Sequence, residues 1–437
     1  MPAHVFVIGL DDFNRQLLES IENGDAFQFR ELLSLEEIRR KDAIVVKENI
    51  DKAERILRGF TGRVDAVIGW WDFPVSLMVP LLCERLGLVS APLRSAVACE
   101  HKYWSRLEQQ KVVPDMVPRF QALDPFGDDP VAALEIDFPF WIKPVKAYAS
   151  QLGYRVEDRG QFQEAIAAIR KGIERFAEPF DSILDQVSLP QEVAPVRGSW
   201  CIVEGITSGR QCTIEGFVKN REITVYGVVD SFRFPNQSTF SRYQYPSRLP
   251  DRIKERMTGA AQHVLEAVGY DNAPFNIEFF WDEEPDQLWM LEINPRISQS
   301  HSDLFQKVMG VSHHQVLVQL SCGQEVVPLG QEGRYRVASK FHLRVFEDGT
   351  VTRVPDQKDI ERVQDKFPGT LVQVKVEQGA LLSELTGQES YSYLLAFVHM
   401  GAASEEDLLE NYRQCVAMLG FERDGQRVEA PEQERSP

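Results

Sequence analysis

The segment that most constrains the fold is 275–296, which reads FNIEFFWDEEPDQLWMLEINPR. Two runs rich in apolar residues flank a turn of Asp, Glu and Pro, and this pattern predicts a β-hairpin. Folding the segment about position 285 places Glu278 opposite Glu292, because both lie seven residues from that centre. Side chains alternate along each strand, so Asn294 shares the face of the two glutamates.

Opposed carboxylates on one face require a compensating charge. Directly opposed residues have Cβ atoms roughly 5 Å apart, and like charges at that distance repel each other. The pair beside an Asn oxygen is therefore destabilising alone, but it suits a hard cation such as Mg²⁺ when phosphates supply the remaining oxygen ligands. A solvent-exposed hairpin face that happens to carry two glutamates is the alternative interpretation. The hairpin alone does not decide between these two.

The first 95 residues alternate short apolar strands with amphipathic helices. We predict strands at 4–10, 42–46 and 65–70, and helices at 11–21 and 75–86. Strands that alternate with helices favour a parallel sheet with crossover helices. Because no GxGxxG motif follows the first strand, a dinucleotide site is not predicted.

The remainder of the chain is richer in β-structure. Three strand-like runs over 199–230 predict an antiparallel meander, and a helix is predicted at 251–268. From residue 331 the pattern is again β-rich, and a further helix begins at Ser404, which opens a near capping box. The polar tail 429–437 is predicted to be disordered.

Composition excludes several classes of function. The chain has 437 residues and a net charge of -18, so it lacks the basic footprint that a nucleic-acid partner or an anionic membrane requires. No apolar run approaches about 18 residues and no signal peptide is recognised, which predicts a cytoplasmic protein without a membrane partner. Six cysteines without a CxxC pair predict reduced thiols rather than disulfides or a zinc site.

Five segments, the last of which overlaps the hairpin, follow one another in a characteristic order. They are EHKYWSRLEQQ (100–110), FPFWIKPVKAYASQLGYRV (138–156), CIVEGITSGRQCTIEGF (201–217), FSRYQYPSRLP (240–250) and LEINPRISQSH (291–301). The series resembles the ATP-grasp superfamily, in which a nucleotide is held between two α+β subdomains. It is most similar to the carboxylate–amine ligase branch, which includes D-alanine–D-alanine ligases and L-amino-acid ligases.

The resemblance implies an ATP-grasp fold of mixed α/β and α+β class. A pre-ATP-grasp, Rossmann-like domain with a parallel sheet would span 1–95. The ATP-grasp domain would span 96–330, with its lid subdomain at about 118–203. A small β-rich α+β domain would follow at 331–428. Since dimers are common in the superfamily, a homodimer is also consistent with the resemblance.

The resemblance further implies a site for ATP. Its phosphate-binding lysines would be Lys102 on a helix and Lys143 on a strand. The loop that closes over the phosphates would be 146–153, where Ser150 is suitably placed although Ala and Tyr replace the usual glycines. Adenine and ribose would be contacted, respectively, by the backbone around Glu204, Gly205 and Ile206 and by the side chain of Gln211.

The segment 291–301 resembles the family's metal strand and the loop that follows it, and with Glu278 of the partner strand it would supply the remaining catalytic groups. Glu278, Glu292 and Asn294 would bind Mg²⁺ or Mn²⁺. Arg296 would face the transferred phosphoryl group, because a guanidinium offers a fork of donors to its oxygens. His301 would contribute to the acceptor pocket.

Beyond the metal strand the sequence departs from the glycine pair common in amino-acid ligases. Ser298 and Ser300 would line the acceptor pocket beside the histidine. The segment 240–250 resembles the substrate-side loop of the family, with Tyr243 where many members carry a histidine. Glu215 is interpreted as a cross-strand structural partner.

The implied activity is ATP-dependent ligation of a carboxylate to an amine. The carboxylate would be activated as an acyl phosphate, with release of ADP and phosphate. One alternative is a biotin carboxylase-like activity, although Ser300 stands before His301 where those enzymes carry a base glutamate. The other is a nucleotide-binding scaffold without catalysis, although all the implied metal ligands are present.

Overall fold

The computed structural model describes residues 2–38, 44–147, 151–234, 239–326, 330, 333–385, 388 and 392–433. The predicted alternation of strands and helices at the N-terminus is confirmed. The elements are β1 (Ala3–Ile8), α1 (Asp12–Glu19), β2 (Phe27–Leu33), α2 (Leu35–Ile38), α3 (Val46–Gly59), β3 (Ala66–Ile68), α4 (Val75–Leu86) and α5 (Leu93–Glu100). The strands form a parallel sheet in the order β2-β1-β3.

The strand predicted at 42–46 is wrong. Positions 44 and 45 lie in irregular structure and Val46 begins α3, while 42 and 43 lie outside the described residues. The third strand is β2, whose sequence FQFRELL carries polar residues through its centre. Because β2 lies at the edge of the sheet, it needs no continuous apolar run.

A second, antiparallel sheet follows in the chain. The elements here are α6 (Lys102–Val112), β4 (Phe120–Leu123), β5 (Phe140–Pro144), β6 (Tyr154–Val156), α7 (Arg159–Gly172), α8 (Glu174–Leu184) and β7 (Cys201–Gly205). The strand order is β4-β7-β5-β6. Its core packs Phe140 and Ile142 of β5 against Phe162 and Ile169 of α7, all fully buried. Lys102 and Lys143 lie on the helix and the strand predicted for them.

The largest sheet has eight strands in the order β12-β11-β8-β9-β10-β13-β16-β15. Its elements and the helices around it are β8 (Arg210–Lys219), β9 (Glu222–Arg233), β10 (Phe240–Tyr245), α9 (Asp251–Val268), β11 (Ala273–Asp282), β12 (Gln287–Asn294), α10 (Gln299–Met309), α11 (His313–Ser321), β13 (Val337–Val345), β14 (Val351–Arg353), α12 (Gln357–Lys366), β15 (Leu371–Val374), β16 (Tyr393–Ala402) and α13 (Glu405–Leu419). The short strands β17 (Glu422–Arg423) and β18 (Gln426–Arg427) form a small sheet with β14. The helix predicted at 251–268 is confirmed as α9.

The meander predicted over 199–230 is only partly correct. β8 and β9 pair antiparallel as expected, but β7 pairs with β4 and β5 in the other sheet. Sequence proximity favoured a local partner for β7, whereas its partners lie far away in the chain. The segment 240–250 also differs from prediction, because 240–245 is the strand β10 rather than a loop.

The hairpin at 275–294 has the predicted register. Glu278 pairs with Glu292 across β11 and β12, and Asn276 pairs with Asn294. A register shift follows Glu278, so the one-to-one pairing does not continue unchanged toward the turn. The opposite face of β11 is fully buried at Phe275, Ile277 and Phe279. Burial of that apolar face fixes which side chains point into the site.

The domain boundaries given above stay predictions. Ala430 of the polar tail packs against the C-terminal core, and 434–437 lie outside the described residues. The six cysteines are free, and all but Cys322 are buried. In the described part of the chain, no helix combines the length and the apolar character needed to cross a bilayer.

We expect Ser404→Ala to lower the free energy of unfolding by about 1 kcal/mol, because Ser404 Oγ accepts the N–H of Asp407 at 3.1 Å as the N-cap of α13. The shift in the urea midpoint measures this loss. Ser404→Thr is the matched control, since threonine keeps the hydroxyl that caps the helix and donates to Asp407 Oδ2 at 2.7 Å, and it should leave the midpoint nearly unchanged. Equal losses in both variants would contradict the capping role.

Candidate active site

The opposed glutamates of the hairpin differ in their partners. Glu292 Oε1 lies 2.6 Å from Lys102 Nζ at the start of α6. Glu278 Oε2 accepts a hydrogen bond from Gln211 Nε2 at 2.9 Å. Among the described residues, Glu278 has no lysine or arginine within ion-pair distance, so one of the two carboxylates is charge-compensated and the other is not.

The same asymmetry appears in the acidities of the two groups. Burial raises the pKa of Glu278, and the nearby charge of Glu292 raises it further. Burial also raises the pKa of Glu292, but the ammonium charges of Lys102 and Lys143 outweigh it and hold that pKa at about 2. Glu292 is therefore ionised at neutral pH, and Glu278 would gain stability from an added cation.

Asn294 lies beside the pair, as predicted. Its Nδ2 donates to Asn276 Oδ1 at 3.0 Å and approaches Glu278 Oε1 at 3.4 Å. The amide oxygen faces Arg296, whose NH2 lies 3.4 Å away. For Asn294 to bind a cation, its amide would have to rotate so that the oxygen joins the glutamates.

Arg296 is held by an acid that the sequence did not indicate. Its Nε and NH2 groups both donate to Asp72 Oδ1, with the Nε contact at 3.0 Å. Asp72 follows β3 in the N-terminal sheet, 224 positions earlier in the chain. Burial lowers the pKa of Arg296, but the carboxylate of Asp72 outweighs it, so the guanidinium stays charged.

Lys143 belongs to a buried cluster with Glu204. The Lys143 Nζ lies 2.6 Å from Glu204 Oε2, and Arg106 Nε lies 2.5 Å from Glu204 Oε1. Burial raises the pKa of Glu204, but the two cations hold it at about 2. Arg106 also donates to the carbonyl of Met290 on β12 at 2.9 Å. The cluster therefore joins α6, β5, β7 and β12.

The remaining residues predicted to contact the nucleotide do not all lie in this cluster. β7 is paired on both edges through Glu204, and the Gly205 N–H already donates to Arg119 O at 2.9 Å. Ile206 lies just beyond the end of the strand, so its backbone is the least committed of the three. Ser150 lies outside the described residues. Gln211 lies with Glu278 rather than with Lys143.

A cavity of about 270 Å³ opens beside Glu278. Its wall brings together Gln211, Glu278, Arg296 and His301, four of the predicted site residues. The remaining lining residues are Trp70, Trp71, Asp72, Thr213, Ser231, Phe240, Tyr243, Asn276, Ser298, Gln299 and Ser300. The predicted acceptor-pocket residues Ser298, Ser300 and His301 therefore share one wall. A separate small recess joins Lys102, Lys143, Glu204 and Glu292.

His301 is buried and hydrogen-bonded to an acid. Its Nδ1 lies 2.7 Å from Glu215 Oε1 on β8, and its ring meets Tyr243 edge-on with centroids 4.9 Å apart. Burial lowers the pKa of His301 to about 3, so the imidazole is neutral at pH 7. Glu215 is thus a direct partner of a predicted site residue, and it makes more specific contacts than the sequence indicated.

Two buried lysines near the site were missed. Lys146 is ion-paired with Glu100, and burial lowers its pKa to about 8. Lys340 Nζ lies 2.9 Å from Ser300 Oγ, and burial lowers its pKa to about 7. Lys146 follows Lys143 in the same apolar segment, which was the available signal. Lys340 lies on β13, far along the chain, and no motif around it indicated a position near the site.

The donor set fits a nucleotide held with a divalent cation. Two carboxylates face each other on one strand pair, and one of them has no cationic partner among the described residues. Lysines and an arginine surround this face, which suits phosphate oxygens. Glu278 and Glu292 would hold the cation, with Asn294 after rotation of its amide.

Residues 136–302 match the ATP-grasp domain family. The chain therefore contains an ATP-grasp domain over these residues, and ATP-grasp enzymes use ATP with a divalent metal ion. Part of the chain is 27% identical over 169 residues to the carbamoyl phosphate synthase large chain of Thermotoga petrophila. That alignment covers 39% of this chain and 15% of the curated relative, so the chain spans a minor part of that protein.

Solved structures extend the likeness over the whole fold. The L-amino acid ligase from Bacillus licheniformis superposes with a TM-score of 0.68 at 16% identity, covering 97% of this chain and 99% of that one. A biotin carboxylase from Campylobacter jejuni superposes with a TM-score of 0.61 at 12% identity, covering 98% and 93%. At such identities the likeness establishes the ATP-grasp fold alone, and confirms the predicted fold class.

The ion pairs of Glu204 should make the free energy of unfolding depend on pH. The folded-state pKa of Glu204 is about 2, below its ordinary value of 4.5, so the stabilisation is fully present above about pH 5 and is lost as the pH falls toward 2. The shift corresponds to roughly 3 kcal/mol, of which roughly two thirds is lost by pH 3. We therefore expect wild type to be more stable than Glu204→Gln at pH 7 and the difference to shrink by pH 3.

Urea unfolding of both proteins across this pH range measures the difference. Glu164→Gln, which removes an exposed carboxylate from α7, is the control and should give a small difference at every pH. A stability difference between wild type and Glu204→Gln that stays constant from pH 7 to pH 3 would contradict the ion-pair account.

Proposed function

We propose that the protein is an ATP-dependent ligase that activates a carboxylate as an acyl phosphate and joins it to an amine. The observation that carries this proposal is the facing of Glu278 and Glu292 beside a cavity that also contains Arg296 and His301. On the Glu292 side of the pair lie Lys102 and Lys143, and on the other side Glu278 lines the cavity. That arrangement supports phosphates on one side and an acyl acceptor on the other.

The lysine side supports a nucleotide. Lys102 and Lys143 meet Glu292 and Glu204 in one recess, and their ammonium groups would exchange carboxylate contacts for phosphate oxygens when ATP binds. Mg²⁺ held by Glu278 and Glu292 would neutralise charge on the phosphates and polarise the transferred group. Lys102 would then leave Glu292 free to bind the cation.

Arg296 has the position for the first step. A substrate carboxylate oxygen attacks the γ-phosphorus, the bond to the β-bridging oxygen breaks, and ADP leaves with that electron pair. The guanidinium, charged and held by Asp72, would donate to the transferred oxygens. Asp72 and Asn294 occupy Nε and Nη2. Nη1 donates to the Ile297 carbonyl at 3.1 Å, so its second N–H is the one that would meet the substrate.

The cavity wall supports the second step. The nitrogen of a neutral amine attacks the acyl carbon, the C–O bond to phosphate breaks, and the amine proton leaves with the phosphate. His301, Ser298 and Ser300 line the cavity and would contact the incoming amine. The indole rings of Trp70 and Trp71 make part of this wall apolar, which favours substrates with an apolar portion.

The first experiment is ADP release by the full-length protein with Mg²⁺-ATP across a matrix of carboxylates and amines. We expect release that requires both an acid and an amine, because the acyl phosphate must be intercepted for turnover. Glu292→Gln should lower kcat at least about 100-fold, since it removes one of the two carboxylates opposed for the cation. Amide product, identified by mass, confirms the bond that forms.

Glu283→Gln is the matched control. It removes an exposed carboxylate from the turn of the same hairpin and should leave turnover unchanged. Release that requires bicarbonate and biotin instead would support the carboxylase reaction. Tight ATP binding without release for any substrate pair would contradict the ligase proposal and favour a non-catalytic scaffold.

A further inference from the structure

Behind the cavity wall, three buried side chains from separate elements converge. They are Glu215 of β8, His301 of α10 and His313 of α11, and one ligand atom from each lies within 4.8 Å of the other two. Glu215 and His313 are fully buried and His301 is nearly so. In the part of the chain that the structure describes, this is the one group of its kind.

Two atoms in this group face each other without hydrogen-bond partners. Glu215 Oε1 already meets His301 Nδ1 at 2.7 Å. The second carboxylate oxygen, Oε2, lies 3.6 Å from His313 Nε2, which is too long for a hydrogen bond. Both of these atoms are buried and lack a partner among the described residues. Leaving such groups unpaired costs stability, so their convergence requires an explanation.

The separation of the two orphan atoms suits a shared metal ion. Zinc bonds to imidazole nitrogen and carboxylate oxygen are about 2.0–2.1 Å long, which places tetrahedral ligand atoms about 3.3 Å apart. The gap of 3.6 Å between Glu215 and His313 lies close to that value. The contact between Glu215 and His301 is shorter and would open by a fraction of an ångström as the metal replaces the shared proton.

The surroundings also suit a metal-bound imidazole. Tyr226 Oη lies 2.8 Å from Nδ1 of His313, the ring nitrogen on the side away from Glu215. Metal-binding histidines usually donate this second N–H to an oxygen, which fixes the ring and its tautomer. The Phe305 ring packs against the His313 ring with centroids 4.3 Å apart. This apolar contact keeps bulk water from the group.

The charge of the group supports the same assignment. Among the described residues, the ion-pair partners of Glu215 are the two imidazoles. Burial raises the pKa of Glu215 and lowers the pKa of His313 well below its usual value. A divalent cation at this point would stabilise the ionised carboxylate that burial disfavours.

We propose that Glu215, His301 and His313 bind a divalent transition-metal ion of the zinc class. Two imidazoles and a carboxylate are borderline donors that favour zinc over Mg²⁺. The site is distinct from the Glu278–Glu292 pair, whose donors are oxygens alone. The bound ion would link β8, α10 and α11 behind the cavity. It would also fix the ring of His301, which lines that cavity.

The test measures metal content and coordination in the full-length protein. We expect about one zinc-class ion per chain after purification without chelators or immobilised metal, measured by plasma mass spectrometry. Removal of this ion with dipicolinate should lower the thermal midpoint by several degrees. Titration of the metal-free protein with Co²⁺ should give the intense visible bands of a four-coordinate or five-coordinate site.

Variants connect the ion with its ligands. His313→Gln and Glu215→Gln should each lose the bound ion and the intense Co²⁺ bands. His342→Gln, which alters another buried histidine, should retain both, as should Glu292→Gln at the hairpin. Retention in Glu292→Gln separates this site from the nucleotide cation, so the outcome does not depend on the proposed ligase activity.

If the ligand variants fail to fold, the wild-type Co²⁺ titration decides alone. Substoichiometric metal together with only weak, octahedral Co²⁺ absorption would overturn the proposal. Glu215 and the histidines would then be a proton-sharing cluster, with the acid protonated or an imidazole charged. An intense Co²⁺ band that persists unchanged in both ligand variants would also overturn it.

Discussion

The like charges of Glu278 and Glu292 are held opposite each other by a buried apolar face. Phe275, Ile277 and Phe279 have no exposed surface on the far side of β11, so the hairpin cannot change register without exposing them. The fold therefore stabilises a repulsive pair that would be unfavourable in isolation. Lys102 of α6 and Lys143 of β5 approach this pair from other parts of the chain, and Arg296 follows directly after β12.

The compensation around the pair is uneven, and the unevenness separates the two sides of the site. Lys102 meets Glu292 at 2.6 Å, whereas Glu278 has an amide, Gln211, as its partner. A bound cation would therefore be stabilised more by Glu278, which has no cationic partner among the described residues, than by Glu292. It would also release Lys102 from its ion pair with Glu292. This exchange couples the cation, the lysine and the phosphates without requiring movement of the sheet.

The sequence predicted those features that depend on local periodicity. The hairpin register followed from alternation about position 285, and α9 was predicted with the bounds that the structure has. β2 was missed because an edge strand can be polar through its centre. The partners of β7 were missed because they are set by contacts far along the chain.

The same limit applies to the candidate site. Lys102 and Lys143 lie on the helix and the strand that the family resemblance predicted for them. Asp72, which holds Arg296, and Lys340, which meets Ser300, reach the cavity from distant parts of the chain. No periodicity in their own segments marks them. Their roles depend on how separate sheets meet, which one sequence does not specify.

Electron paramagnetic resonance of Mn²⁺, titrated in the presence of a non-hydrolysable ATP analogue, measures directly whether the opposed glutamates form the cation site. We expect the wild-type protein to bind Mn²⁺ tightly only when the nucleotide is present. The double variant Glu278→Gln/Glu292→Gln should weaken this binding at least about 100-fold, because it leaves no charged ligand on the hairpin. Equal Mn²⁺ affinity in wild type and the double variant would contradict the claim that the opposed glutamates form the cation site.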